Sequence, residues 1–465
     1  MSAYTTKVAD TPSGTEAKEM IEPTAEPQKE DILSNWANDP ENAKNWSTKK
    51  KLYNTAVPAV LCFLISFGLA IYSPSHESAK DSFQVSTVLS LLPFTLYVYG
   101  LAFGPAVSAP LSETFGRRFI YVFVTPIALL FILGASFANN LAALAICRLL
   151  AGITISAPLA VGAGSIMDMW TGVNTNRGVV LIMTIAFLGP AVGELVGGWV
   201  AQYKNWQWSQ WTTLFLGAAF WIFAMGAQET YAGPLMRRKA KKLGVPLPPS
   251  PVPDGLAGAR FLVTVTLARP LYMLVPAIPL IFSTTYNFTL GESGLVLIGI
   301  VVGCILGGIV LVLLDSHTMR RHVIKHKAAS PPPERMLWGA MIGGPLMAGA
   351  LFWFAWTARP GIHWMSSIVA TGLFGFSNIL IFVSTMLYLT NVYGATYGAS
   401  ALAANGLLRY VVGGSFPLFT IPMYNNLGYP WASSLLGFIA IAFAFLPWIF
   451  YVFGSKLRQS SAYIQ

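Results

Sequence analysis

Charge is what this sequence has least of. Asp, Glu, Lys and Arg make up 10% of its 465 residues, where a soluble domain carries about 25%. That deficit excludes an ordinary soluble globular protein. Metal and disulfide chemistry are equally thin. The cysteines, Cys62, Cys147 and Cys304, each lie in an apolar run without ligand spacing, so they read as small buried hydrophobes. His76, His317, His322, His326 and His363 do not cluster. No Ser, His and Asp converge in one region, which leaves catalysis without support. The GxxxxGK[ST] phosphate loop does not occur, so an ATP-driven pump is excluded as a first reading. The net charge of +10 lacks the basic, aromatic-interleaved face of a nucleic-acid binder.

What the sequence does have is apolar residue, 54% of the total, gathered in runs of about the length that crosses a membrane as a helix. Eleven runs read as full spans: 54–73, 86–110, 119–137, 141–164, 178–200, 211–230, 292–314, 336–357, 364–390, 400–422 and 431–453. The longest polar interruption falls after the sixth and begins "PLMRRKAKKLGVPLPPSPVPDG" (234–255), a basic helix end followed by a proline-rich linker. The chain therefore divides into a disordered, Glu/Thr/Pro/Ala-rich tail (1–45), a six-helix bundle (46–232), a cytoplasmic linker (233–268), a second bundle (269–455) and a short tail (456–465).

The twelfth span is the irregular one. Where the seventh should stand is "RPLYMLVPAIPLIFS", from Arg269 to Ser283, with Pro270, Pro276 and Pro279 in it. Its apolar part, 270–282, spans only about 20 Å as a helix. Charge counting tests whether it crosses. Leaving aside the tail lysines Lys7, Lys18, Lys29 and Lys44 and the intraspan Arg148 and Arg409, with the N-terminus inside and the segment crossing, 20 Lys and Arg fall in cytoplasmic segments and Lys80, Lys204 and Arg359 outside. Without the crossing the split becomes 14 against 9. The first topology obeys the positive-inside rule better, so the segment is expected to cross, with Arg269 in or near the membrane. Both termini are then expected to be cytoplasmic, in a multi-pass membrane protein whose expected home is the plasma membrane, with the vacuolar membrane the alternative.

Three motifs sharpen the reading. "APLSETFGRRFIY" (109–121) places Glu113 before a tight basic turn of Gly116, Arg117 and Arg118. It resembles the motif A loop of the major facilitator superfamily, with Ala109 replacing the first glycine. "CRLLAGI" (147–153) is similar to motif B, with Arg148 as its intramembrane arginine. "LGPAVGELVGG" (188–198) resembles motif C, the antiporter signature, through Gly189, Pro190 and Gly193; Glu194 departs from that pattern. "ETYAGPLMRRKAKKL" and "ASALAANGLLRYVVGGSFPLF" look like fungal drug:proton antiporters, including polyamine-transporter-like members. The resemblance runs from about Asn45 to Arg458 and fails at the seventh span.

The resemblance implies an all-α membrane protein of major facilitator fold, two six-helix bundles enclosing a cavity, with the seventh span shortened. It implies secondary transport, with the proton gradient and no bound cofactor as the energy source. Expected partners are a small amphipathic or cationic substrate and the lipid bilayer, for a monomer with no nucleic acid. An importer or facilitator, and a chain that does not transport because its seventh span is incomplete, are the alternatives.

The residues add their own expectations. Gly189, Gly193 and Gly197 recur every four positions and form a close-packing face, expected against the other half, with a bend at Pro190. Arg148 and Glu194 fall at similar depth in adjacent spans and are expected to pair, either as a proton-coupling unit or as a static pair. Asp168 and Glu229 are expected to join the motif A turn as a conformational latch. Arg409 is either a substrate or gate residue, or a cap at the cytoplasmic rim. Asn378 and Asn405 are candidate cavity donors, and Phe67 and Tyr97 candidate aromatic platforms. Asn287-Phe288-Thr289 is a glycosylation sequon in a predicted outer loop, whereas the sequon at Asn45 falls inside.

Overall fold

A computed structural model of the chain describes residues 36–243, 271–326 and 332–459. The spans are α1 (Thr48–Ala70), α2 (Leu92–Phe115), α3 (Arg117–Ser136), α4 (Leu141–Met169), α5 (Val173–Tyr203) and α6 (Gln207–Ala224) in the first half. The second half holds α7 (Leu271–Tyr286), α8 (Leu290–His317), α9 (Trp338–Thr357), α10 (Trp364–Val392), α11 (393–427) and α12 (Tyr429–Gly454). Among the described residues nine segments are long and apolar enough to cross a bilayer. α6 misses that measure because its first two turns carry Gln207, Ser209, Gln210, Thr212 and Thr213. Three of these, Ser209, Gln210 and Thr213, are fully buried.

Local sequence sets the helix ends. Gly116 (φ +100°) stops α2 in a backbone conformation that side chains resist. The Asn140 side chain accepts from the Ala143 amide at 2.8 Å and caps α4. Thr289 and Glu292 form a reciprocal capping box at the start of α8. α10 and α11 belong to one helical run of 64 residues, about 96 Å if straight. The Arg409 guanidinium nevertheless lies 4.9 Å from the Phe382 ring. The chain doubles back between them, and the two arms run antiparallel.

The halves repeat one packing plan. α1 packs on α5, α2 on α4 and α3 on α6; in the second half α8 packs on α10 and α9 on α12. The halves meet along α5–α8 and α2–α11. Polar bonds tie α5 to α8 near both ends. Asn176 Nδ2 donates to Asp315 Oδ1 at 3.1 Å, Arg177 Nη2 to Ser316 Oγ at 2.9 Å, and at the opposite end the Gly291 amide to Gln202 Oε1 at 2.9 Å. Tyr99 and Ser415 share a 2.8 Å hydrogen bond between α2 and α11.

The seventh span is longer than its apolar segment. The described part of α7 has 16 residues, about 24 Å against a core of about 30 Å, because Ser283, Thr284 and Thr285 continue the helix past the apolar run. Its last turn is anchored: Tyr286 Oη donates to the Thr357 carbonyl at 3.1 Å, and Ile278, Ile281 and Phe282 are fully buried. Those contacts put its C-terminus beside the end of α9. Arg269 lies outside the described residues. Order also starts earlier than residue 45. Trp36–Asn38 and Ala43–Asn45 form short 3-10 turns, and Asp39 pairs with Lys239 of the linker helix Ala232–Leu243.

Candidate functional site

On the side where α2 turns into α3, the motif A residues form one network. The first amides of a helix have no intrahelical acceptor. Here the amides of Arg117 and Arg118 donate to Glu229 Oε1 at 2.9 Å and Oε2 at 3.1 Å. The negative carboxylate also faces the positive end of the helix dipole. Glu229 lies so close to Gly116 that a Cβ there would collide with it. The Arg117 side chain pairs with Asp168 at 3.1 Å, donates to Ser112 Oγ at 2.8 Å, and lies 4.7 Å from the Tyr231 ring centroid. Burial pushes the Tyr231 phenol above its ordinary pKa. Glu113 is exposed and makes no hydrogen bond or ion pair among the described residues. The acid that engages the turn is Glu229, 112 residues from Arg117, because Glu113 leaves α2 on its outer face. Arg118 contributes its amide, and its side chain is exposed. Ser112 and Tyr231 escaped the sequence reading, although both sit inside motif segments.

The expected Arg148–Glu194 pair does not form in this conformation. Equal depth is not equal direction: α4 packs on α2 and α3, whereas α5 packs on α1 and α8. Arg148 is fully buried. Its Nη1 donates to the Gly68 carbonyl at 2.8 Å and to Gln210 Oε1 at 3.4 Å, and its Nη2 to the Leu69 carbonyl at 3.4 Å. The Tyr97 and Tyr72 rings flank it at 4.4 and 5.2 Å. The polar turn of α6 therefore serves Arg148, a signal that was visible as glutamine and serine inside an apolar run. Tyr97, read as a platform for substrate, is fully buried against this guanidinium and donates to the Ile65 carbonyl at 3.1 Å. Phe67 is buried with its ring on Phe63.

Glu194 sits on the other side of α1. It is 1% exposed, and neither carboxylate oxygen has a hydrogen-bond partner among the described residues. Ser73 approaches without reaching hydrogen-bond geometry. Gly294 of α8 packs against the backbone of Glu194 and Leu195. A carboxyl group thus lies sealed at a contact between the halves. The motif C glycines are placed differently from expectation. A Cβ at Gly189, Gly193 or Gly197 would lie 2.7 Å from backbone oxygens of Phe63, Phe67 and Ile71, so the stripe packs on α1 of its own half. Gly198, one residue on, faces Leu290 of the other half.

Within the spans, away from their ends, four aromatic or charged side chains converge from both halves. The Phe187 ring of α5 meets the Phe382 ring of α10 at 4.6 Å, tilted by 58°, and the Arg409 guanidinium lies over Phe382 at 4.9 Å and over Tyr410 at 4.3 Å. Phe382 is about 27 Å along α10 from Trp364, and Arg409 equally far from Leu427. Arg409 is not the rim cap that one reading expected: it makes no ion pair among the described residues, and its Nε has no partner. Asn378, one turn from Phe382, lines a cavity of about 10 Å³ with Phe187, Pro190, Ala191, Ile300, Cys304 and Gly375. Asn405, one turn from Arg409, is buried. Asn287 is exposed between α7 and α8.

This geometry can be set beside known proteins. The profile described as Major Facilitator Superfamily matches residues 59–417. A polyamine transporter of Saccharomyces cerevisiae is 32% identical over 479 residues, covering 91% of this chain and 72% of that protein. An MFS-type transporter of Penicillium crustosum is 33% identical, over 91% and 92%. An MFS-type efflux pump of Trichophyton rubrum is 34% identical, over 90% and 75%. Among solved structures, a proton:xylose symporter superposes with a TM-score of 0.64 at 12% identity, over 87% of this chain and 97% of that one. A human organic anion transporter gives 0.60 at 16%, over 86% and 100%. At those identities the likeness is one of fold.

Proposed function

The chain belongs to the Major Facilitator Superfamily, and on that premise we propose that it is a proton-coupled exporter of small amphipathic molecules. Membership makes it a multi-pass membrane transport protein and not an enzyme. Direction, coupling and substrate are the proposal. So are a plasma-membrane location, cytoplasmic termini, a monomeric state and the proton gradient as sole energy source.

The observation that carries the proposal is Glu194. Among the described residues it is the one carboxylate in the membrane interior; Asp168 and Asp315 lie at inner helix ends, and Glu77, Asp81 and Glu292 at outer ones. It is buried at the α5–α8 contact with no cation beside it. With its proton on, the neutral group fits the sealed contact. When the proton leaves, a bare charge in apolar surroundings is costly, and the cost is relieved if α5 and α8 part and admit water. Proton occupancy then biases which side of the cavity is open. The Glu229–Arg117–Asp168 network binds the inner ends of α2, α3 and α4 to the segment after α6, so the first half moves as one body. The glycine stripe on α1 serves the same rigidity.

Efflux pumps and a polyamine transporter among the relatives support export of small organic compounds. The test uses purified protein in proteoliposomes with fluorescent amphipathic probes and an imposed pH gradient. Probe movement against its own gradient, opposite in direction to proton flow and abolished by a protonophore, is the expected result. Movement with the proton flow would make the protein an importer. Movement indifferent to the protonophore would refute coupling. The short seventh apolar run of the sequence, 270–282, favours one competing reading, a chain that folds without transporting; it predicts that flux appears only after that run is lengthened to a full span.

A further inference from the structure

We infer that the compound moved is an organic anion, a carboxylate or sulfonate on a flat apolar body, and that Arg409 recognises it. The inference rests on the transport reading above and narrows its substrate class. Its first ground is the charge inventory at mid-depth. A carboxylate is the strongest anchor for a cationic substrate in the central cavity, and the described residues place no Asp or Glu there. Glu194 lies nearer the outer ends, 9 residues before the end of α5, and is enclosed between α1, α5 and α8.

The second ground is Arg409 itself. Of the two described arginines away from the span ends, Arg148 is spent on carbonyls of α1, on Gln210 and on two tyrosine rings. Among the described residues Arg409 has ring contacts only, with Phe382 and Tyr410. Stacking on ring faces holds the guanidinium flat and leaves its N–H edge, the edge that binds a carboxylate or sulfonate through two parallel hydrogen bonds. A charge held inside a membrane without a counter-charge is costly and points to a functional partner. The third ground is the surround. Phe187 from the opposite half meets the Phe382 ring at 4.6 Å, and Asn378, one turn from Phe382, lines a small void with Phe187. Aromatic walls with few polar groups suit a flat apolar body that carries one anionic end. Because Phe187 and Arg409 come from different halves, an anion seated between them bears on the contact that must open and close.

The test uses the full chain in nanodiscs of uncharged phosphatidylcholine and two probes with the same body, 2-naphthalenesulfonate and trimethyl(2-naphthyl)ammonium. Both keep their charge at all working pH values. Equilibrium binding is measured separately from flux, so that loss of transport does not obscure recognition. The expected result is tighter binding of the sulfonate by roughly tenfold or more, the scale of a bidentate charge-assisted contact. Arg409→Gln abolishes that preference, and Arg409→Lys keeps part of it. Equal or tighter binding of the ammonium probe by the unaltered chain overturns the inference, with no need for a variant to fold. Sulfonate binding that survives in folded Arg409→Gln overturns it as well. If the sulfonate binds through Arg409 yet no proton-driven flux accompanies it, the anion site stands and the transport reading fails.

Discussion

Replacing Glu229 by Gln should loosen the start of α3 by a measurable amount. Its carboxylate accepts the Arg117 and Arg118 amides at 2.9 and 3.1 Å and the Tyr231 amide at 2.9 Å. Hydrogen bonds to a charged group contribute about 1.5–3 kcal/mol each, and neutral ones about 0.5–1.5. Gln keeps one carbonyl oxygen and sets an NH2 group against an amide that also donates. The net loss is therefore about 2–4 kcal/mol. At 1.4 kcal/mol per factor of ten, the lower figure is about a 30-fold rise in local opening. Hydrogen–deuterium exchange reads it directly, because the first amides of a helix owe their protection to their cap. In Glu229→Gln the peptide covering 113–122 should exchange about 30-fold faster, while peptides of α9 and α10 keep their rates. An unchanged rate in that peptide would refute the capping role. A rise of equal size in every peptide would mean global destabilisation and would refute it too.

Two further outcomes follow from the packing and the topology. Gly193→Ala puts a Cβ 2.7 Å from the Phe67 carbonyl oxygen and 3.1 Å from the Ala70 Cβ; overpacking of this kind costs about 1–3 kcal/mol, so the unfolding midpoint should fall. Gly349→Ala, with nothing within 4 Å of the new methyl group, should leave the midpoint unchanged or raise it. Asn287 is exposed and precedes the capped start of α8, so expression in a glycosylating host should give a glycan removed by peptide N-glycosidase and absent in Asn287→Gln. A glycan that instead disappears in Asn45→Gln would invert the topology.

The helical membrane class was legible in the sequence, and so was the meeting of Glu229, Asp168 and Arg117 at one turn, because span length, loop charge and the Gly-Arg-Arg turn are local signals. Direction across a helix was not. Arg148 and Glu194 share a depth, but α1 stands between the surfaces they face. Depth follows from counting residues, whereas facing depends on which helices neighbour each span. The glycine stripe misled for the same reason. Spacing at four positions specifies a close contact without naming the partner, and the partner is α1. Glu113 and Glu229 show a third limit. Adjacency to the basic turn favoured the nearer acid, but a carboxylate reaches the free amides only from in front of the helix, where the segment after α6 returns. Gln210, Phe187 and Phe382 needed the tertiary structure to acquire a role, although a polar turn in an apolar run was the available sign for Gln210.

In the proposed mechanism Glu194 couples a proton to the opening of the α5–α8 contact. The most direct test separates coupling from carriage in one variant, Glu194→Gln, which preserves the shape of the neutral carboxyl group and cannot release a proton. In proteoliposomes the variant should still exchange labelled for unlabelled probe with no pH gradient, but it should fail to concentrate probe when a gradient is imposed. A Glu194→Gln protein that concentrates probe with the pH dependence of the unaltered chain would contradict the account.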